Sequence, residues 1–366
     1  MFGIKTRLRD LFRRQVAVAS RSQEILSEVD ELRKAVHALA ARVDSFVRLQ
    51  SGTAELASEL IGNWRRELAY YRSILEGIRD NAQLHRPILD EIRDLARLAA
   101  RSYAYLDDHV GIATTAEGFR LLIDTRDRQI APHLATVGIW EPWNTALVRA
   151  ILKPGDSFVD VGSNVGFFVL LARICVGQAG RVIAFEAHPE LAELLAASVE
   201  INGFTPNVDV RHLAVSDTTG ELEFAGYEHY LGDGHVLALH PARHPRQATF
   251  RISCDTLDHQ LPDLSGVRLL HIDAEGSEAL ILRGARNLIA RSPRLVILME
   301  WGLVPGSGAV QVNELDMLAE QGFSFYQVER TGALRRTSVE ALSGSSLGDV
   351  LCYRGDPDEF AAESHH

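Results

Sequence analysis

The sequence has few cysteines, few prolines and no long hydrophobic run, and each of these shortages excludes a class of protein. Among 366 residues there are three cysteines, far apart and without metal-ligand spacing, so we expect neither a disulfide framework nor a structural zinc site. The proline count of 12 argues against a low-complexity linker protein. No apolar run reaches the roughly 18 residues that a membrane-spanning helix needs.

Positive charge is also scarce, but it is concentrated at one end. The chain has 38 Lys and Arg against 49 Asp and Glu, a net charge of −11, which argues against a nucleic-acid-binding protein. Residues 1–20 nevertheless carry five cations and one acid, interleaved with apolar residues on one helical face. This basic amphipathic segment predicts either contact with an anionic membrane surface or a solvated helix that leads into the next region. It lacks the apolar core of a secretory signal, so we expect a cytoplasmic protein, free or at the inner face of the membrane.

Residues 21–106 show the hydrophobic spacing of a coiled coil. Apolar residues from Ile25 to Phe46 alternate steps of four and three, and after a shift of phase the pattern resumes from Tyr71 to Ala99. Pro87 and three glycines are expected to kink or weaken the helix. We therefore predict a coiled-coil stalk that forms a homo-oligomer, with an antiparallel helical hairpin as the alternative.

Residues 107–355 alternate strand and helix patterns, and an acidic flexible tail follows at 356–366. The alternation predicts an α/β domain in which helices cover both faces of a mostly parallel sheet. The last two strands have no long helix between them, so we expect them to form an antiparallel hairpin. The predicted strands are 118–124, 157–161, 181–185, 208–213, 268–272, 295–300, 323–328 and 349–353, and the predicted helices are 145–152, 165–175, 190–202, 277–290 and 312–321.

Two motifs at predicted strand ends indicate a nucleoside-bearing cofactor. Asp160 to Gly166 follows one strand directly and precedes a helix, and Gly162 and Gly166 would let a cofactor approach the backbone. The motif is not GxGxxG, and the negative charge of Asp160 suits a cationic cofactor without phosphate. Glu186 ends the next strand, where a carboxylate can accept hydrogen bonds from both hydroxyls of a ribose.

A third motif predicts a catalytic cluster. His271, Asp273 and Glu275 alternate along a strand end and so share one face. Three titratable groups that face the predicted cofactor are typical of an active site. The structural alternative is that Glu275 or Ser277 caps the following helix. Glu300, at the end of another predicted strand, adds a carboxylate at the same edge of the predicted sheet.

Five motifs in order give the domain a family resemblance. They are Asp160-Val-Gly-Ser-Asn-Val-Gly166, Phe185-Glu-Ala-His-Pro189, Ala214-Val-Ser-Asp217 with Gly220, Thr256-Leu-Asp258 and Ile272-Asp-Ala-Glu-Gly276. Residues 111–355 thereby resemble the FkbM family of S-adenosylmethionine-dependent methyltransferases. The resemblance implies a Rossmann-like class I methyltransferase fold, with a mostly parallel seven-stranded sheet. It also implies O-methyl transfer, often to sugars of polysaccharides, glycolipids or secondary metabolites.

The resemblance also implies a role for each candidate residue. Glu186 would hold the ribose of S-adenosylmethionine, Asp217 would lie near its adenine, and Glu141 belongs to a segment that resembles the one closing over the cofactor. Our own hypothesis is that either Asp273 or Glu275 takes the proton of the acceptor hydroxyl, with His271, which stands where the family commonly has lysine, as an alternative. We expect no metal, although the same carboxylates could ligate a divalent cation. The resemblance implies that the methionine part is held by Asp160, Gly162, Asn164 and Gly166, and Ser163 is a further cofactor-binding candidate.

The leading hypothesis is an O-methyltransferase for a glycan or a glycosylated small molecule. A catalytically inactive methyltransferase-like scaffold in a glycan-assembly complex is the alternative, and the missing GxGxxG argues against a nicotinamide-dependent enzyme. Residues 226–250 contain four histidines whose spacing matches no standard zinc site. We interpret this segment as a mobile acceptor-binding loop, with a plain surface loop as the alternative.

Overall fold

The computed structural model describes residues 103–107, 109–227, 234–236, 247–302, 308–343 and 348–355. The predicted basic segment 1–20, the acidic tail 356–366 and nearly all of the predicted coiled coil lie outside these residues. Residues 103–106, assigned to the stalk by the sequence, are part of a strand instead. Among the helices of the described residues, none is both long and apolar enough to cross a bilayer.

The described residues form an α/β domain with fifteen strands. The strands are β1 Tyr103–Asp107, β2 Val110–Thr114, β3 Arg120–Asp124, β4 Ser157–Val161, β5 Arg181–Glu186, β6 Val208–His212, β7 Ala214–Val215, β8 Gly220–Tyr227, β9 His235–Val236, β10 Gln247–Asp255, β11 Val267–Ile272, β12 Val296–Trp301, β13 Ser324–Val328, β14 Leu334–Thr337 and β15 Gly348–Tyr353. The helices are α1 Ile130–Thr136, α2 Pro142–Ile151, α3 Phe167–Val176, α4 Pro189–Ile201, α5 Leu257–Gln260, α6 Glu278–Arg283, α7 Arg286–Ala290, α8 Gly308–Glu320 and α9 Val339–Leu342.

The main sheet has eight strands in the order β14-β13-β15-β12-β11-β4-β5-β6. Strands β12, β11, β4, β5 and β6 run parallel, whereas β15 is antiparallel to both of its neighbours. The predicted antiparallel pairing of the last strands is therefore confirmed in β13 and β15. The short strand β14, which pairs with β13, is the eighth strand and was not predicted.

Alternating residues of the central strands belong to two different cores. Phe158 of β4 packs into the core that contains α3, and its neighbour Val159 packs into the core that contains α6, α7 and α8. Such runs, buried on both faces, are expected of parallel strands with helices on each side. The predicted helix 277–290 is two helices, because the backbone at Ala285 leaves the helical region with φ −115° and ψ 9°.

Two smaller sheets flank the main one. Strands β1, β2 and β3 form an antiparallel sheet whose edge strand β3 is bonded to α4, where the backbone N–H of Leu122 donates to Ser198 Oγ at 2.9 Å. The second sheet has the order β7-β10-β8-β9. Its long antiparallel pair, β8 with β10, extends into the segment 226–250, and β9 lies within it. The prediction of a loop over this whole segment is therefore wrong for its described residues.

Candidate functional site

A cavity of about 250 Å³ lies at the carboxyl ends of β4, β5, β11 and β12. Parallel strands bring their carboxyl ends to one edge of the sheet, so motifs that are far apart in the sequence meet there. Nine of the eleven predicted site residues line this cavity: Glu141, Asp160, Gly162, Ser163, Asn164, Glu186, His271, Asp273 and Glu275. Gly166 and Asp217 are not part of the lining.

Asp160 and His271 form a buried pair on one side of the cavity. They are Cα partners on β4 and β11, and His271 Nδ1 lies 2.7 Å from Asp160 Oδ1. The imidazole packs on the Phe168 ring, with 4.7 Å between centroids. Burial opposes protonation of His271, but the hydrogen bond and negative charge of Asp160 outweigh it and raise the pKa of His271 to about 9. The contact with Asp160 therefore favours the protonated form of His271 and makes it a weaker candidate for the base.

Glu186 is the last residue of β5, and its carboxylate bonds the backbone of the loops that follow β4 and β5. Its Oε2 accepts the backbone N–H of Asn164 and its Oε1 accepts that of His188, each at 2.7 Å. Burial raises the pKa of Glu186 to about 7, although these hydrogen bonds oppose the rise. Each carboxylate oxygen has a second lone pair, so the group can accept further hydrogen bonds from a bound molecule.

Gly162 and Gly166 allow close contacts within the protein. A Cβ on Gly162 would lie 1.7 Å from the backbone oxygen of Asp273, and one on Gly166 would lie 2.1 Å from a methyl carbon of Leu195. Both glycines also have positive φ, 81° and 93°. The missing side chains therefore bring parts of the protein together, a role that the sequence analysis did not predict.

Three carboxylates form the opposite side of the cavity. Asp273, Glu275 and Glu300 each offer an oxygen, and these oxygens lie within 4.8 Å of one another. Burial and the charge of Glu300 raise the pKa of Asp273 to about 8, and burial and the charge of Glu278 raise that of Glu300 to about 7. The group can therefore accept a proton near neutral pH, and its spacing is also compatible with a divalent cation.

Glu278 supports the loop that carries these carboxylates. Its side chain is buried, and its Oε1 accepts the backbone N–H groups of Ala274 and Gly276, each at 3.1 Å. Glu275 lies within this loop at φ 46°, a left-handed conformation that most residues avoid. Sequence analysis missed this role of Glu278, although an acid at the start of a helix is a common capping signal.

Glu141 closes the cavity from the start of α2. It has a left-handed backbone, with φ 40° and ψ 75°, and its Oε2 accepts a hydrogen bond from Asn144 Nδ2 at 2.9 Å. Burial and the charge of Asp349 raise the pKa of Glu141 to about 7. Asp349 in turn accepts the indole N–H of Trp143 at 2.7 Å. Glu141 thus lines the cavity together with its other acids.

Asp217 is the one predicted site residue whose side chain is bonded elsewhere. It accepts a hydrogen bond from Arg283 Nη1 at 3.1 Å, on the side of α6. The cavity wall next to β6 is instead apolar, and part of it comes from the second small sheet, which sequence analysis missed. This wall contains Leu213, Ala214, Val215, Phe224 and Val236.

The residues of the cavity fit S-adenosylmethionine. Asp160 Oδ2 is buried and has no hydrogen-bond partner among the described residues, so a cationic group that enters the cavity would satisfy it. Glu186 can accept from the ribose hydroxyls, and the apolar wall provides a surface for the adenine ring. The cavity holds no cluster of basic residues for a phosphate: its lining, as far as the structure describes it, contains neither Lys nor Arg.

Comparison with known proteins identifies the same domain. Residues 160–325 match the family model described as Methyltransferase FkbM domain. A protein-L-isoaspartate O-methyltransferase 1 of Arabidopsis thaliana is 30% identical over 131 residues, which are 35% of this chain. A protein-L-isoaspartate O-methyltransferase of Methanococcus aeolicus is 34% identical over 77 residues, 21% of this chain. The chain spans 50% and 34% of the lengths of these two relatives.

Solved methyltransferase structures show only a distant likeness. An O-methyltransferase from Bacillus cereus in complex with SAH has 13% identity and a TM-score of 0.35, covering 58% of this chain and 81% of its own. A SAM-dependent O-methyltransferase from Thermotoga maritima has 14% identity and a TM-score of 0.34, covering 67% and 77%. TM-scores this low support no argument about this chain. The family match itself confirms the predicted resemblance for residues 160–325.

Proposed function

We propose that the chain is an S-adenosylmethionine-dependent O-methyltransferase acting on a sugar hydroxyl, and the match of residues 160–325 to the methyltransferase FkbM family model supports this proposal. One observation carries the proposal. The cofactor-facing residues Asp160 and Glu186 share a single cavity with the carboxylates at the ends of β11 and β12. The acceptor belongs to a polysaccharide, a glycolipid or a glycosylated metabolite.

The protein's own residues bind and orient the two reactants. S-adenosylmethionine supplies an electrophilic methyl group when it is bound. Asp160 Oδ2 would accept from the ammonium group of its amino acid, and Glu186 from its ribose hydroxyls. Rate acceleration by such a site comes mainly from holding the acceptor oxygen in line with the methyl carbon and sulfur.

Asp273 is the best-placed base for the acceptor. A sugar hydroxyl is a poor nucleophile unless its proton leaves as the new bond to oxygen forms. Asp273 lines the cavity and has a pKa raised to about 8, so it can hold that proton. The proton passes from the acceptor oxygen to the Asp273 carboxylate, and Glu275 is the second candidate. His271 is the weaker one, because its Nδ1 is bonded to Asp160 and its pKa is high.

The polarity of the cavity favours a sugar over an acidic acceptor. Glu141, Asp273, Glu275 and Glu300 would repel a carboxylate acceptor, whereas sugar hydroxyls can donate hydrogen bonds to them. Trp140 also lines the cavity, and an indole ring is a suitable packing surface for the apolar face of a sugar ring. Both features support a neutral, hydroxyl-rich acceptor.

The N-terminal regions add two parts to the proposal. Residues 21–106 make the protein a homo-oligomer, and the basic residues 1–20 bring it to the inner face of the membrane. Their support is the heptad spacing and the concentration of positive charge, respectively. Light scattering of the full chain tests the first part, and a monomer would contradict it. Flotation with anionic vesicles tests the second part, using the full chain and a chain that begins at residue 21.

The decisive experiment is a methyl-transfer assay. The full chain is incubated with methyl-labelled S-adenosylmethionine and a panel of glycans and glycolipids, with an isoaspartyl peptide as a comparison acceptor. We expect a methylated sugar, located by mass and linkage analysis, and no product with the variant Asp273→Asn. Methylation of the peptide alone would contradict the sugar acceptor. Failure to bind S-adenosylmethionine at all in calorimetry would instead support an inactive scaffold.

A further inference from the structure

Asp160 and His271 are both buried and are joined by a hydrogen bond, so their side chains hold each other in place. Asp160 is 1% exposed and His271 is 4% exposed, and one imidazole nitrogen bonds one carboxylate oxygen. A carboxylate buried this deeply is costly unless it is paired, so the imidazole is what stabilises the charge of Asp160 at this position. The pair lies on adjacent strands in register, which fixes the separation of the two Cα atoms.

The second oxygen of Asp160 is left for a ligand. A carboxyl group is planar, so anchoring Oδ1 on His271 also sets the direction of Oδ2. Oδ2 is buried and has no hydrogen-bond partner within the described part of the chain, and Asp160 lines the cavity. Buried polar atoms are nearly always paired in native proteins, so an unpaired one on a residue that lines a cavity is a contact that a ligand can complete.

The surroundings hold the imidazole itself in place. Phe168 of α3 packs on the ring at a centroid distance of 4.7 Å and an interplanar angle of 54°. The charged groups that face His271 are Asp160 from β4, Asp273 from the loop after β11 and Glu141 from the turn before α2. All three are acids, and Asp160 is the one that the imidazole bonds.

We propose that His271 is a positioning residue for cofactor binding. Its imidazole fixes the Asp160 carboxyl so that Oδ2 meets the ammonium group of the S-adenosylmethionine amino acid. This inference rests on the proposed function, because it requires that cofactor in the cavity. His271 acts through Asp160 and does not take the proton of the acceptor.

The test measures affinity for S-adenosylmethionine and its product S-adenosylhomocysteine by calorimetry, with no acceptor present. We expect His271→Leu to weaken both by roughly tenfold or more, since it removes the hydrogen bond that holds Asp160. His271→Gln keeps an N–H donor and should bind within about threefold of the wild type. The double variant His271→Leu with Asp160→Asn should bind no more weakly than Asp160→Asn alone, because the two side chains act as one unit.

Ser292→Ala is the matched control. It removes another buried hydrogen bond to β11, the one from the backbone N–H of Val267 to Ser292 Oγ at 3.1 Å, outside the cavity lining. We expect it to lower the melting temperature and leave the cofactor affinity unchanged. If Ser292→Ala weakens binding as much as His271→Leu does, His271 is merely structural and the proposal is wrong.

The remaining outcomes separate the two proposals. If the wild type does not bind the cofactor, the proposed function fails. If the wild type binds and His271→Leu binds equally well, only the role of His271 fails. A His271→Gln variant with unchanged cofactor affinity but no turnover would make His271 the base and overturn the inference. Should His271→Leu not fold, the ¹⁵N signals of the His271 ring decide: they must shift on cofactor binding if Asp160 gains a ligand, and unshifted signals refute the proposal.

Discussion

The carboxylate of Glu186, at the end of β5, accepts the backbone N–H of Asn164, in the loop after the neighbouring strand β4, at 2.7 Å. Asn164 has φ 51°, a left-handed conformation that this hydrogen bond helps to hold. Glu186 also lines the cavity. One side chain thus both shapes the loop that faces the cofactor and is itself expected to bind it.

Replacing Glu186 by Gln should weaken cofactor binding and lower stability. The amide has one acceptor oxygen where the carboxylate has two, so one of the N–H groups of Asn164 and His188 loses its partner. An unpaired buried N–H costs about 1–3 kcal/mol, which unfolding in urea measures. Calorimetry with S-adenosylmethionine should show at least a roughly tenfold loss of affinity. The control is Glu190→Gln, whose side chain is 52% exposed, and an equal loss in this control would contradict the assignment.

Replacing Asp273 by Asn should abolish turnover and leave cofactor affinity nearly unchanged. The amide cannot take a proton from the acceptor hydroxyl, and general-base catalysis is worth about 10²–10⁴-fold. The measurement is kcat together with the cofactor dissociation constant, with Glu275→Gln as the companion variant. A full rate in Asp273→Asn together with loss of activity in Glu275→Gln would move the role to Glu275.

The rate should depend on pH through the pKa of Asp273. The base works only when deprotonated, and burial and the charge of Glu300 raise its pKa to about 8, so kcat should fall as the pH falls below about 8. Glu300→Gln removes the neighbouring negative charge, lowers the pKa of Asp273 and should move this fall to lower pH. The exposed substitution Asp316→Asn is the control and should leave the profile in place. A profile unmoved by Glu300→Gln would show that another group titrates.

Gly162→Ala should destabilise the protein more than the same substitution at a glycine of similar φ with open space around it. Both Gly162 and Gly155 have positive φ, 81° and 91°, so Ala is strained at either position by about 1–2 kcal/mol. A Cβ on Gly162 would also meet the backbone oxygen of Asp273, whereas one on Gly155 meets nothing within 4 Å in the described structure. Thermal unfolding of the two variants isolates the cost of the clash, and equal melting temperatures would contradict the close contact.

Chelators should not abolish activity. The base role of Asp273 needs a carboxylate that no cation occupies, and burial and the charge of Glu300 raise the pKa of Asp273, which favours a proton at that position. Turnover after dialysis against EDTA should therefore match that of untreated enzyme. Complete loss, restored by Mg²⁺ or Mn²⁺ and absent in Glu300→Gln, would assign the three carboxylates to a metal instead.

The sequence was sufficient to predict the central part of the fold. Strands such as β4 and β5 are short apolar runs bounded by glycine, so their position and their parallel arrangement follow from local pattern. The antiparallel sheet of β8 and β10 was missed because its two strands are separated by a long insertion whose histidines suggested a loop. Strand β14 was missed because its residues are mostly polar and it is the edge of the sheet.

In the candidate site, the sequence predicted which side chains line the cavity, but it did not predict which of them bond to one another. The acids at strand ends were predictable, because parallel strands deliver them to one edge. The bond from His271 to Asp160 was not, since it depends on which residues of β4 and β11 are in register. The separation of Asp217 from the cavity depends on Arg283, a residue 66 positions away that no local pattern connects with it.

The backbone contacts under the cavity have a thermodynamic consequence. Gly162 N–H donates to the Phe185 carbonyl, and Asp273 N–H donates to the Val161 carbonyl, each at 3.0 Å, so the ends of three strands are linked in series. The distance between Glu186 and Asp273 is therefore set by the main chain. The conformational entropy of these main-chain segments is lost during folding, before any ligand arrives. The binding of the two reactants does not have to order them.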